Sequence, residues 1–116
     1  MKRKILSAIC AMFLTSCYSV PATTDFVLKI DRDYKEVADC AWQTFRAKES
    51  WGRDNLDSMN KVEFALRNTT STAGRIDIIG ISPGKTEVRS FMPNAVWGKD
   101  FWPSKLRPIF EACSRA

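Results

Sequence analysis

The chain has 116 residues, 18 Lys+Arg against 13 Asp+Glu, no histidine, and 45% hydrophobic residues. That length fits one domain, and that apolar content excludes global disorder. Three of the positive charges are Lys2, Arg3 and Lys4; beyond residue 16 the balance is 15 basic to 13 acidic, with no basic stripe of the kind a nucleic-acid partner requires.

The first element is a greasy leader. Residues 1–4 carry the positive charge, residues 5–14 are an apolar run, and small residues follow, which is the layout of a secretory signal. A transmembrane anchor needs roughly 20 predominantly apolar residues. Thr15, Ser16, Ser19, Pro21, Thr23 and Thr24 dilute the second half of the uncharged stretch, so a signal is the better reading.

The run closes in Leu14-Thr15-Ser16-Cys17, an aliphatic residue, two small ones and a cysteine. This resembles the lipobox of bacterial lipoproteins, a resemblance confined to the first 17 residues. It implies a diacylglyceryl thioether on Cys17, cleavage before it, and acylation of the new amino group. Two or more acyl chains anchor a protein stably, so lipid on Cys17 would take the place of a membrane span. Tyr18, rather than aspartate, follows the cysteine, which in such lipoproteins implies sorting to the outer membrane with the domain facing the periplasm. The expected organisation is a signal peptide over 1–16, a lipidated tether over 17–24 and one periplasmic domain over 25–116. Residues 18–24 span at most about 23 Å, taking about 3.3 Å each, which keeps the domain near the membrane.

With Cys10 in the leader and Cys17 lipidated, Cys40 and Cys113 remain as an even pair in an oxidising compartment, and a structural disulfide between them is expected. Their separation excludes a CxxC redox motif. A metal site is not expected, since there is no histidine and two distant cysteines do not complete a zinc shell. No cofactor is expected either: the five glycines are scattered and form no phosphate loop.

In the domain, Phe26, Leu28 and Ile30 alternate with Val27 and Lys29 in a first strand. Asp31 or Asp33 can cap the helix that follows, where Tyr34, Val37, Ala38, Ala41 and Phe45 recur at helical spacing through about residue 48. Gly52 and the polar run RDNLDSMN read as a loop. Three alternating strands follow, over 61–68, 75–81 and 86–92. They are separated by a turn at NTTSTAG and a tight Ser82-Pro83-Gly84-Lys85 turn, with a bulge expected near Gly80 where Ile79 and Ile81 break the phase. Glu63, Arg67, Arg75, Asp77, Glu87 and Arg89 point to a solvated mixed-charge sheet face. Leu106, Ile109, Phe110 and Cys113 share one face of a last helix, with Pro103 and Pro108 expected before or near its start. The order β-α-β-β-β-α predicts an α+β domain: a small antiparallel sheet of about four strands with both helices on one face.

Without histidine, Ser–His and Cys–His catalysis fail, and no spacing of the remaining titratable groups marks an enzyme. The best surface candidate is FMPNAVWGKDFW over 91–102. It places Phe91, Trp97, Phe101 and Trp102 in one irregular connection suited to a protein contact or a membrane interface, with Trp51 a weaker second. The leading expectation is an outer-membrane lipoprotein whose domain binds an envelope protein, in assembly or sensing. The rivals are an anchored inhibitor of a peptidoglycan-cutting enzyme and a histidine-free hydrolase.

Overall fold

Alternation of apolar and polar residues builds most of this molecule, because every strand but one has a face to bury. The computed structural model describes residues 20–67, 71–93 and 97–115. The leader with Cys10, the lipobox residues Leu14, Thr15, Ser16 and Cys17, and Tyr18 lie outside the described residues, as does Asn68-Thr69-Thr70. The elements run β1 (Phe26–Ile30), α1 (Tyr34–Phe45), β2 (Trp51–Leu56), a short 3-10 turn (Asp57–Met59), β3 (Lys61–Arg67), β4 (Thr72–Ser82), β5 (Lys85–Phe91) and α2 (Phe101–Arg115). The strands form one antiparallel sheet in the order β1-β5-β4-β3-β2. The fold is α+β as expected, with five strands in place of about four.

The added strand is β2, in the run expected to be a loop. Trp51 is its one buried residue, and Arg53, Asp54 and Asn55 pair with Phe64, Glu63 and Val62. β2 is an edge strand held by a single ladder, so it needs no apolar alternation. Two further boundaries move. The first helix ends at Phe45, before residue 48, because the chain must turn through Lys48 (its N–H bonds the Phe45 carbonyl, 3.0 Å) to start β2 at Trp51. β4 begins at Thr72, so residues 72–74 of the expected turn belong to a strand.

One face of the sheet carries the core. Ile76, Ile78, Val62, Phe64 and Val88 lie under α1, which contributes Val37, Ala38, Ala41 and Phe45, and under α2, which contributes Leu106 and Phe110. Asp33 caps α1, its carboxylate accepting from the Lys35 N–H at 3.1 Å. The helices are joined by the Cys40–Cys113 disulfide, with Cα atoms 5.8 Å apart. Arg32, in the β1–α1 turn, donates to the Cys113 carbonyl at 2.7 Å and so holds the end of α2 beside the start of α1.

Two details follow from close approach. The β4–β5 register shifts between Gly80 and Ser82, where the bulge was expected, and a Cβ on Gly80 would sit 2.6 Å from the Tyr34 ring. Only glycine lets that buried ring close the end of the core. Gly84 takes φ +74 in the β4–β5 turn, a conformation glycine adopts without steric cost.

The opposite face of the sheet is charged, but it is not uniformly solvated. Asp77 is only 4% exposed and Glu87 is also buried. Lys61 reaches Glu63 at 3.1 Å and Asp77 at 3.5 Å; Arg75 lies 2.9 Å from Asp77, and Arg89 pairs with Glu87. Glu63 and Asp77 are direct cross-strand partners. Two like charges in that position repel, and the basic side chains laid across them compensate.

Candidate functional site

The aromatic residues singled out in sequence divide between two faces. Thr86, Val88 and Ser90 of β5 point into the core, so Phe91 falls on the charged outer face, with the Arg75 guanidinium 4.7 Å from its ring centre. Trp97, Phe101 and Trp102 lie on the helical side. They are also not all in irregular chain: Phe101 and Trp102 form the first turn of α2, with Pro103 beside them. A proline in the first turn gives up an N–H that has no helical partner anyway. Pro108 lies inside the helix, past the start where it was expected. Pro108 and Ser104 are both exposed, so the carbonyl that would have accepted from residue 108 meets water.

Starting α2 at Phe101 puts Trp102, Lys105, Leu106 and Ile109 at i, i+3, i+4 and i+7, one stripe of the helix. Facing that stripe are Thr44 and Phe45 at the end of α1, Lys48 in the following turn, and Trp51 at the start of β2. Between them lies a groove of about 220 Å³. Its floor is aromatic. Trp51 packs edge-on against Phe45 at 4.7 Å and against Trp102 at 6.4 Å between ring centres. Phe45 continues to Phe64, and Phe64 to Trp42 and Phe110. In the other direction Trp102 meets Phe101 edge-on at 5.2 Å, and Phe101 stacks on Trp97 at 5.2 Å. An unbroken series of rings therefore runs from the middle of the core to Trp97, which is 64% exposed.

The electrostatics of the groove are one-sided. Its lining holds two lysines, Lys48 and Lys105, and no carboxylate. Neither lysine has an ion-pair partner among the described residues; Lys105 instead lies 5.0 Å from the Phe101 ring centre, a cation–π distance. The Trp102 indole N–H is buried and has no acceptor among the described residues. Trp51, the weaker candidate in sequence, is the centre of this groove. The signal that could have raised it was the pairing of an aromatic with a lysine three residues away on each wall, Lys48 with Trp51 and Trp102 with Lys105.

A second depression is lined by Thr24, Asp25, Phe26, Lys99, Asp100, Pro103 and Arg107. It sets the chain entering β1 against the first turns of α2, with the Arg107 guanidinium 5.2 Å from the Phe26 ring centre. The N-terminal segment thus joins the domain beside the helix end that carries the aromatic rings.

Among the described residues, no three His, Cys, Asp or Glu side chains are grouped to hold a metal ion, and no helix is long and apolar enough to cross a membrane. Comparison with protein-family models, curated proteins and solved structures returns no match. The class this chain can be given therefore rests on its own fold and site: a disulfide-clamped α+β domain with an aromatic groove between its two helices.

Proposed function

We propose that the protein is a bacterial lipoprotein, anchored through acyl chains on Cys17, whose domain binds another envelope protein through the groove around Trp51 and Trp102 and its exposed lip at Trp97. The observation that carries this reading is the ring series that ends in open solvent. A large indole stacked on Phe101 and left mostly bare adds nothing to the core, whereas aromatic side chains at a groove edge are the commonest anchors of protein contacts. The lipobox supplies the anchor, and the short tether keeps the domain near the bilayer, its N-terminal segment entering at the β1 edge beside the first turns of α2. Outer-membrane placement follows from Tyr18 after Cys17. A groove lined by aromatic and aliphatic side chains with two lysines at its rim favours binding, and with no carboxylate in its lining it gives the histidine-free hydrolase less support.

Two experiments test the two halves. Cys17→Ser should abolish fatty-acid labelling and release the chain from membranes; continued labelling contradicts the anchor. Crosslinked capture from cells should recover one defined envelope protein with the wild type and lose it with Trp97→Ala; equal recovery by the variant contradicts the contact surface.

A further inference from the structure

We infer that the groove between α1 and α2 takes an acidic segment of the partner protein, seating one large apolar side chain between Trp51, Trp102 and Ile109 and flanking carboxylates against Lys48 and Lys105. The inference deepens the reading of the groove as a protein-binding site and rests on it. Three observations point to this occupant. The size is that of a single side chain: about 220 Å³ falls below the roughly 300–1,000 Å³ of pockets that enclose a whole small molecule. The walls are aromatic and aliphatic, with Leu106 and Phe45 at the bottom, so the inserted group is apolar. The rim carries two lysines and no acid, so the groups beside the inserted one are anionic.

Lys48 stands in the turn after α1 and Lys105 one turn into α2, on opposite walls, and the disulfide joins the two helices that carry those walls. The two charges are therefore held on either side of the groove, an arrangement that reads acids on both sides of one apolar residue. Complementary charge of this kind sets partner choice and on-rate more than affinity, so its signature is discrimination between sequences and sensitivity to salt.

The test uses the full chain as isolated from cells and three peptides: acetyl-Asp-Glu-Phe-Asp-Glu-amide, the same peptide with alanine for phenylalanine, and the same peptide with lysine for every acid. Phenylalanine adds no tryptophan emission, so a change in the emission of the chain's four tryptophans, two of which are Trp51 and Trp102, is the readout. The acidic phenylalanine peptide should shift that emission saturably and at least tenfold more tightly than either control. Its binding should weaken between low and physiological salt, and Lys48→Glu with Lys105→Glu should abolish it. Both lysines are exposed, so the reversal should leave the circular dichroism melt unchanged; if it does not, the salt series on the wild type decides. Equal binding of acidic and basic peptides overturns the inference, as does no binding of any peptide. Emission changes on vesicles containing phosphatidylglycerol without a response to the acidic peptide also overturn it, and assign the groove to lipid. Loss of capture with Trp97→Ala alongside equal peptide binding would remove the acidic partner while leaving the proposed protein contact standing.

Discussion

Gly80 shows how much one missing methyl group can decide. It pairs with Thr86 at the last regular step before the register shift, and its N–H bonds the Asn60 carbonyl at 2.7 Å. The Tyr34 ring fills the space where a Cβ would stand. Gly80→Ala should therefore push that ring outward and lower stability by about 1–3 kcal/mol, the usual range for overpacking a tight site. Urea denaturation monitored by circular dichroism would measure it; an unchanged midpoint would mean that the ring has room to yield. The position was legible as a break in alternation between Ile79 and Ile81. The reason for glycine was not, because Tyr34 is 46 positions away in sequence. Asp77 gives the opposite lesson. Its place on the charged side of β4 was readable from alternation, yet its burial depends on Lys61 arriving from β3 to join Arg75 of its own strand.

At the scale of elements, what sequence reveals depends on what each element buries. α1 was readable because Tyr34, Val37, Ala38, Ala41 and Phe45 all enter the core. β3 and β5 were readable from Val62 and Phe64 and from Thr86, Val88 and Ser90. β2 was hidden, since backbone pairing with β3 stabilises it and backbone pairing leaves no mark on side-chain composition. The Arg67 N–H to Ser50 carbonyl bond, 2.8 Å, fixes the ladder so that even-numbered residues of β2 turn their backbone groups toward β3. Asp54→Pro should then remove a ladder bond and cost about 1–3 kcal/mol, while Asn55→Pro, whose N–H faces the free edge, should cost far less. Comparison of the two thermal melts checks this; equal losses would mean that the ladder has the other parity. The groove was half legible for a similar reason. Its aromatic residues stood out, but their division from Phe91 required knowing that β5 continues to Phe91 and that α2 begins at Phe101.

For the whole molecule, the disulfide is the largest single constraint. It closes 73 positions of chain and ties together the two helices that form the groove. Cys40→Ser with Cys113→Ser should lower stability by about 4 kcal/mol in the chain-entropy account, and should loosen the groove before the sheet. Hydrogen exchange would read this as faster exchange in α2 than in β4; uniform acceleration would mean that the bond clamps the entire fold equally. The proposed anchor and the disulfide belong to one argument, because the compartment that a lipoprotein signal leads to is the one that oxidises thiols. The intact mass of protein extracted from membranes under non-reducing conditions tests both at once. It should equal residues 17–116 plus a diacylglyceryl group and an amide-linked acyl chain, less two hydrogens for the Cys40–Cys113 bond. A mass matching all 116 residues with free thiols, on protein recovered from the soluble fraction, would contradict it.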